Sequence, residues 1–216
     1  MSALEARNSA RVREEVLVNG WDERFAGEEY VYGTDPNRWL VAHADQFRPG
    51  GRVLCLGEGE GRNAVWLAKR GFVVEAVDAS AVGLAKARQL AARGGVWIDT
   101  LVADLGAYEP AEGRYDGVVL IFVHFPPSVR SLVHSRAAAA LARDGIIVFE
   151  AFTRKQLSNS SGGPKQANML YDEEMVRCDF AGLEWEVLRE EEIDLDEGSL
   201  HRGRAAVVRG IARRRS

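Results

Sequence analysis

Three glycines alternate with charged residues in the segment Gly57-Glu58-Gly59-Glu60-Gly61-Arg62-Asn63. The preceding residues, Val53 to Leu56, form an apolar run typical of a strand buried on both faces of a parallel sheet. Glycines allow tight turns and leave room for a ligand against the backbone, and a following helix would present free N–H groups. The segment therefore predicts a cofactor loop; a tight turn without a ligand is the alternative. The expected contacts are Gly57, Glu58, Gly59, Gly61 and Asn63.

Two carboxylates follow at the ends of the next two predicted strands. Asp78 ends the run from Phe72 to Val77, and Asp104 follows the run from Trp97 to Val102. Because parallel strands end at one edge of a sheet, Asp78 could bind ribose hydroxyls and Asp104 an adenine amino group. Helix capping or turn formation is the alternative for both carboxylates. Cofactor contacts are also expected from their neighbours, Ala79 and Leu105.

The spacing of the glycines distinguishes between two cofactors. In the dinucleotide fingerprint, the third glycine comes three residues after the second. Here Gly61 is two residues after Gly59, and Arg62 occupies the next position. The pattern therefore favours S-adenosylmethionine. A nicotinamide-dependent oxidoreductase is the weaker alternative, since the sequence has no Tyr-x-x-x-Lys motif.

Several short motifs resemble class I methyltransferases of the tellurite-resistance and thiopurine methyltransferase-like group. They are Trp21-Asp22-Glu23-Arg24-Phe25, Glu29-Tyr30-Val31-Tyr32-Gly33, Pro36-Asn37, the glycine segment, Val77-Asp78-Ala79-Ser80 and Asp179-Phe180-Ala181-Gly182-Leu183. The resemblance runs from Trp21 to Arg213. It implies a doubly wound, seven-stranded, mostly parallel α/β sheet with the last strand antiparallel, and S-adenosylmethionine as cofactor. Many class I enzymes have an acidic residue where this chain has Cys55, so Glu58 or loop carbonyls are expected to bind the methionine amino group.

Two histidines are candidates for the residue that handles the acceptor's proton. His124 follows the fourth predicted strand, which commonly faces the transferring methyl group in class I folds, and an imidazole of near-neutral pKa could accept a thiol proton. The resemblance implies a functional histidine and arginine near the last hairpin. It assigns His201 as base or orienting residue and Arg202 or Arg204 as the contact of an anionic substrate. The alternatives are a histidine that caps a helix or binds a loop carbonyl, and turn residues without a function.

Aromatic residues and one polar segment are candidates for the cover of the site. Tyr30, Tyr32 and Trp39 are predicted to form a wall or lid over the methionine end of the cofactor, with core packing as the alternative. The polar segment Thr153–Asn168 follows a strand and is predicted to be a lid, with an ordinary surface loop as the alternative. Tyr171, just after it, is expected to contact the substrate.

The length of 216 residues and a hydrophobic content of 46% predict one enzyme-sized domain, residues 21–216, after an N-terminal arm of residues 1–20 that is partly disordered or a marginal helix. The net charge of −4 disfavours a nucleic-acid partner. Two distant cysteines suggest neither a disulfide framework nor a metal site. The chain lacks a signal-peptide pattern and a membrane-length apolar run, so a cytoplasmic monomer or homodimer is expected.

Hydrophobic periodicity and capping residues predict the order of the elements. The predicted helices are 36–47, with Asp35 as cap, 62–70, 80–93, with Ser80 as cap, and 127–141. The later strands are 115–122 and 145–152, and a closing hairpin pairs 185–195 with 204–212. Alternation of strands and helices indicates a parallel, doubly wound sheet.

Together these features predict S-adenosylmethionine-dependent methyl transfer to a small soft nucleophile, such as a thiol, a chalcogen or a similar small metabolite. Transfer would be an in-line displacement, in which the protein mainly aligns the nucleophile and excludes water. A non-catalytic S-adenosylmethionine-binding regulator is the second alternative, because it would keep the same cofactor pocket.

Overall fold

The computed structural model describes residues 20–215, which contain one seven-stranded sheet. The strands are β1 (Arg52–Leu56), β2 (Val73–Asp78), β3 (Asp99–Val102), β4 (Tyr115–Ile121), β5 (Leu141–Phe152), β6 (Glu184–Asp196) and β7 (Arg202–Arg213). Their spatial order is β3-β2-β1-β4-β5-β7-β6, and β7 is antiparallel to both neighbours. The predicted doubly wound α/β sheet is therefore confirmed. The N-terminal arm predicted for residues 1–20 lies outside the described residues, apart from residue 20.

Helices cover both faces of the sheet. They are α1, which includes residues 20–25, α2 (Arg38–His43), α3 (Arg62–Lys69), α4 (Ala81–Arg93), α5 (Pro127–Ala140) and α6 (Glu173–Asp179). Side chains alternate across a strand, so Val53 and Cys55 of β1 pack with α2, α3 and α4, whereas Leu54 and Leu56 pack with α5 and α6. The apolar run of β1 is thus buried on both faces, as predicted.

The start of α2 differs from the prediction. Asn37, and not Asp35, is the N-cap: its side-chain oxygen accepts a hydrogen bond from the N–H of Leu40 at 3.0 Å. The helix begins at Arg38, and a 3₁₀ turn over Ala44–Gln46 follows it. Ser80 caps α4 as predicted, because its hydroxyl accepts a hydrogen bond from the N–H of Gly83.

The polar segment after β5 is tied to the sheet by a buried glutamine. Gln156 donates to the Ser161 hydroxyl at 2.9 Å and to the carbonyl of Gly162 at 3.0 Å, and it accepts a hydrogen bond from the N–H of Ala206. Two 3₁₀ turns lie in this segment, Arg154–Ser158 and Ala167–Met169. The segment is therefore ordered by polar contacts with β7.

Helix α6 was not predicted, although its start carries a recognisable signal. The side chain of Asp172 caps it, and Glu173 and Glu174 occupy its first turn. At its other end, Asp179 accepts hydrogen bonds from Arg130 at 2.5 Å and from His134 at 2.9 Å, which joins α6 to α5. This buried polar group lies on the opposite face of the sheet from α3.

Within residues 20–215, no helix combines the length and the apolar character needed to cross a membrane.

Candidate active site

The glycine loop joins β1 to α3, and its three glycines adopt positive φ angles. The angles are 64° at Gly57, 60° at Gly59 and 91° at Gly61. A Cβ atom at each glycine would lie within 3.1 Å of another side chain, namely Val123, Phe25 and Ala87 in turn. The glycines are therefore required by backbone conformation and close packing, rather than by space left open for a ligand.

Asp78 ends β2 and organises the loop. Its Oδ2 accepts a hydrogen bond from the N–H of Gly59 and its Oδ1 from the N–H of Ser80, both at 2.8 Å. Burial raises the pKa of its carboxyl group. Each oxygen retains a second lone pair, so Asp78 can still accept hydrogen bonds from ribose hydroxyls. Ala79, which follows it, is half-buried.

Glu58 and Asn63 direct polar atoms toward the protein itself. Oε1 of Glu58 accepts hydrogen bonds from the N–H groups of Asn63 at 2.9 Å and Ala64 at 2.8 Å, which caps α3. Burial raises the pKa of Glu58 to about 7. The side-chain oxygen of Asn63 accepts a hydrogen bond from the N–H of Asn37. These bonds restrict the atoms that either residue has left for a cofactor.

Asp104 lies just beyond β3, at the same edge as Asp78. The two strand ends are joined by a 3.0 Å hydrogen bond from the N–H of Ala103 to the carbonyl of Asp78. Asp104 is exposed, and its Oδ1 accepts a hydrogen bond from the N–H of Gly106. Its other oxygen is available to an adenine amino group, whereas the Leu105 side chain is part of the core.

Tyr30 and Tyr32 lie near the glycine loop, on the segment that precedes α2. The hydroxyl of Tyr30 donates to the carbonyl of Lys86 at 3.0 Å. The ring of Tyr32 lies 4.5 Å from the ring of His201, centroid to centroid. Both remain candidates for a wall of the site.

Trp39 and Tyr171 are core residues, in contrast to the prediction. Trp39 is 7% exposed, and its indole N–H donates to the carbonyl of Gly210 at 3.4 Å. Tyr171 is fully buried, and its hydroxyl accepts a hydrogen bond from the N–H of Phe125 at 2.8 Å. Trp39 belongs to the core cluster on the face of α2, α3 and α4, and Tyr171 to the cluster on the face of α5 and α6.

His124 bonds to backbone groups through both ring nitrogens. Nδ1 lies 2.8 Å from the carbonyl of Met169 and Nε2 lies 3.2 Å from the N–H of Phe152, which indicates the tautomer with its proton on Nδ1. Burial lowers the pKa of His124 to about 4. This geometry corresponds to the alternative of a histidine bound to a loop carbonyl, and it leaves no lone pair to accept a proton.

The lowered pKa of His124 predicts that it contributes to loss of stability in acid. Between pH 7 and pH 4 the unfolded chain binds a proton at this imidazole and the folded chain does not, so stability falls as the pH falls. At pH 5 the loss is up to about 2 kcal/mol relative to pH 7. Urea unfolding at pH 7 and pH 5 gives the change in the free energy of unfolding for wild type and for His124→Gln. The difference between these two changes is the contribution of His124. Equal pH dependences would contradict the prediction.

His201 precedes β7 and lies among aromatic rings. The Tyr32, Phe122 and Phe152 ring centroids lie 4.5, 4.7 and 5.4 Å from its own. Burial, with the charge of Arg62 as the second cause, lowers the pKa of His201 to about 3. Its Nδ1 is buried and has no hydrogen-bond partner among residues 20–215. A neutral imidazole at pH 7 can orient a polar group, as the resemblance implies for His201. The near-neutral pKa expected for His124 is absent.

Arg202 and Arg204 point away from His201, into ion pairs across the hairpin. Arg202 lies 3.3 Å from Asp196, and its side chain is 72% exposed. Arg204 pairs with Glu192 and is also exposed. Alternation along β7 separates these side chains from that of His201, so the predicted contact with an anionic substrate has no support in the geometry.

Phe122 is a candidate site residue that was not predicted from the sequence. It follows β4 directly and has φ of 57°, which is rare for an aromatic residue. Its N–H donates to the carbonyl of Glu150 at 2.7 Å, and its ring stacks on Phe152 with centroids 4.6 Å apart. Such strain often marks functional positions. No local sequence signal indicates a positive φ at a phenylalanine.

Lys86 and Glu60 hold the segment before α2 against the glycine loop. The Lys86 ammonium lies 2.5 Å from Oε1 of Glu60 and donates to the carbonyls of Gly27 and Glu29. The other oxygen of Glu60 accepts a hydrogen bond from the N–H of Val31 at 2.8 Å. The loop carboxylate of Glu60 is thus a structural contact of the segment that carries Tyr30 and Tyr32.

Comparison with protein families gives a match for the part of the chain that contains the glycine loop and Asp78. Residues 53–145 match the family described as methyltransferase domain. A ribosomal RNA small subunit methyltransferase C from Alcanivorax borkumensis is 38% identical over 69 residues. That match covers 32% of this chain and 21% of the relative's length.

Solved structures match most of the chain at low sequence identity. A protein from a study of the conversion of a disulfide bond into a thioacetal group during echinomycin biosynthesis has a TM-score of 0.74 at 20% identity, over 92% of both chains. TehB from Haemophilus influenzae has a TM-score of 0.65 at 21% identity, over 82% of this chain and 61% of its own. A Burkholderia thailandensis 1,6-didemethyltoxoflavin-N1-methyltransferase, solved with S-adenosylhomocysteine, has a TM-score of 0.64 at 22% identity, over 97% of this chain and 90% of its own.

These matches confirm the predicted fold and support the predicted cofactor and enzyme class. The closer assignment to the tellurite-resistance group stays a prediction, because the likeness to TehB at this identity is one of fold. Residues 53–145 match the methyltransferase domain family, and the described chain has the Rossmann-like α/β fold of a class I methyltransferase.

Proposed function

We propose that this protein transfers a methyl group from S-adenosylmethionine to a small, soft nucleophile such as a thiol. One observation carries the proposal: a glycine loop bonded to Asp78 lies beside an aromatic cluster around His201. The first feature suits an adenosyl cofactor and the second suits an acceptor of low charge. The methyltransferase domain match over residues 53–145 supports the same activity.

The donor set at the sheet edge fits S-adenosylmethionine. Asp78 retains lone pairs for the ribose hydroxyls, and the exposed carboxylate of Asp104 suits the adenine amino group. At the N-terminus of α3, Glu58 already accepts hydrogen bonds from the N–H groups of Asn63 and Ala64, which leaves the N–H of Arg62 for a carboxylate such as that of the methionine group. When bound, the cofactor would supply an electrophilic methyl group on a sulfonium.

The surroundings of His201 favour a small acceptor with no charged group besides its reacting sulfur. Phe122, Phe152 and Tyr32 provide apolar surface, and polarisable sulfur packs well against aromatic rings. Arg62, whose charge helps to lower the pKa of His201, is already paired with Glu197 at 2.7 Å. The protein from the echinomycin study shares this fold, and the conversion named there concerns a disulfide bond, which agrees with sulfur as an acceptor atom.

In this mechanism the chain contributes alignment and exclusion of water. His201, neutral at physiological pH, donates a hydrogen bond from its ring N–H to the acceptor sulfur and orients it. It is too weak a base to store a proton at pH 7, and His124 has no free lone pair. The thiol therefore loses its proton to solvent before transfer, and holding the resulting thiolate in line supplies most of the acceleration.

The proposal predicts binding and turnover in the purified protein. S-adenosylmethionine and S-adenosylhomocysteine should raise the melting temperature, since a ligand that binds only the folded state stabilises it by mass action. Thiols, selenite, tellurite and halides should be tested as methyl acceptors. Formation of S-adenosylhomocysteine from S-adenosylmethionine should be fastest with one or more of the thiols. The panel should include neutral and anionic thiols of similar pKa.

Two results would favour the other functions. A melting shift with NAD(H) and none with S-adenosylhomocysteine would indicate an oxidoreductase. A melting shift with S-adenosylhomocysteine, but no turnover with any acceptor, would indicate a cofactor-binding regulator.

A further inference from the structure

A buried polar cluster lies between the glycine loop, β5 and the β6–β7 turn. It consists of Asn37, Arg62, Glu150 and Glu197, which we name the Asn37 cluster. Each of these residues is less than a tenth exposed. We propose that Asn37 and Glu197 are positioning residues that hold the turn carrying His201 in register with the glycine loop. The inference rests on the methyl transfer proposed above.

Asn37 uses all of its polar groups. Its amide nitrogen donates to Glu150 at 2.9 Å and to Glu197 at 3.1 Å, so one group bridges two carboxylates. Its side-chain oxygen caps α2, and its backbone N–H donates to the side chain of Asn63 in the first turn of α3. Asn37 therefore joins the start of α3 to both β5 and the hairpin turn.

Glu197 connects the β6–β7 turn to Arg62, the first residue of α3. Its Oε2 lies 2.7 Å from Nη2 of Arg62, and its backbone N–H donates to the carbonyl of His201 at 2.8 Å. One residue thus closes the turn that carries His201 and binds the first residue of α3. A movement of Glu197 would move His201 relative to the glycine loop.

The backbone of the β6–β7 turn next to Glu197 packs closely against the segment before α2. Gly198 lies against Tyr32 and Gly33 so closely that a Cβ atom there would be 2.4 Å from the N of Gly33. The N–H of Leu200 donates to the carbonyl of Val31 at 3.2 Å. The turn is therefore clamped between the segment before α2 and the cluster.

The charges of the cluster explain why its geometry is specific. Glu150 is paired with Arg209 and Glu197 with Arg62, and the neutral amide of Asn37 separates the two carboxylates. Removal of a charged member leaves a buried charge without its ion-pair partner, and removal of Asn37 leaves two buried carboxylates without their shared donor. The surrounding structure must then rearrange. A cluster with only a structural role would lower stability in the same way, so stability alone cannot identify positioning.

Two variants separate positioning from folding. Glu197→Gln removes the charge that binds Arg62, and Asn37→Ser keeps an oxygen to cap α2 but removes both donor bonds. With the best thiol of the panel, both should lower kcat by about ten- to a hundredfold, because small misplacements of aligned groups are costly. The Kd for S-adenosylhomocysteine, from calorimetry, should change by less than about threefold, since neither variant touches Asp78. Asp179→Asn disrupts the buried group between α5 and α6, and it should lower stability without lowering kcat.

A spectroscopic readout tests the inference without turnover. The chain has four histidines, so the ring signals of His201 can be assigned by their loss in His201→Gln. In Glu197→Gln these signals should shift or broaden, and in Asp179→Asn they should stay in place. Unchanged His201 signals, an unchanged kcat, or a kcat and cofactor affinity that fall in proportion would each overturn the inference. Failure of wild type to bind S-adenosylhomocysteine would instead overturn the proposed function, and the His201 signals would still decide whether the cluster positions the turn.

Discussion

Replacement of Gly61 with alanine is expected to destabilise the protein and to weaken cofactor binding together. Gly61 has φ of 91°, and an added Cβ atom would lie 2.5 Å from Cβ of Ala87 on α4. Left-handed strain and overpacking against a fixed backbone should lower the free energy of unfolding by about 3 kcal/mol or more. Urea unfolding measures the loss, and calorimetry with S-adenosylhomocysteine measures the affinity.

Gly71 provides the matched control at the other end of α3. Its φ is 88°, and nothing lies within 4 Å of the position where a Cβ would be added. Gly71→Ala should therefore show the left-handed strain alone, about 1–2 kcal/mol, with unchanged cofactor affinity. Equal losses of stability in the two variants would show that contact with α4 is not what requires a glycine at position 61.

Replacement of Asp78 with asparagine is expected to give the largest loss of cofactor affinity. The variant keeps the shape of the side chain but replaces one acceptor by a donor that faces the N–H of Gly59 or Ser80. It also removes the charge from hydrogen bonds to the ribose, worth ~1.5–3 kcal/mol. Affinity for S-adenosylhomocysteine should fall by about ten- to a hundredfold, measured by calorimetry.

Asp99→Asn is the control for charge, because Asp99 lies exposed on β3 and its side chain bonds only to Trp97 within the described chain. It should leave the affinity unchanged. If Asp78→Asn also binds S-adenosylhomocysteine as wild type does, the assignment of Asp78 to the ribose is wrong.

The sequence was sufficient to predict the strand-loop-helix unit at the glycine loop, the helix cap at Ser80 and the closing hairpin. These features depend on neighbours within a few residues: an apolar run, a side chain that can bond to its own backbone, and alternation along a strand. The position of Asp78 at the sheet edge was also predictable, since parallel strands end together. The start of α2 was not predictable, because Asp35 and Asn37 are both residue types that cap helices. The tertiary contacts of Asn37 make it the cap.

The tertiary structure decided the roles of individual aromatic residues and histidines. In the sequence, Trp39 suits the wall of a site as well as a core, and Tyr171 suits a substrate contact as well as a core. Packing against the sheet placed both in the core. Burial, which depends on residues far apart in the chain, lowers the pKa values of His124 and His201 well below the range of a base at pH 7. The Asn37 cluster joins positions 37, 62, 150 and 197, so only the folded chain brings its charges together. Local interactions thus determined the helices, strands and glycine loop, whereas long-range packing determined which side chains lie in the core and which pKa values burial shifts.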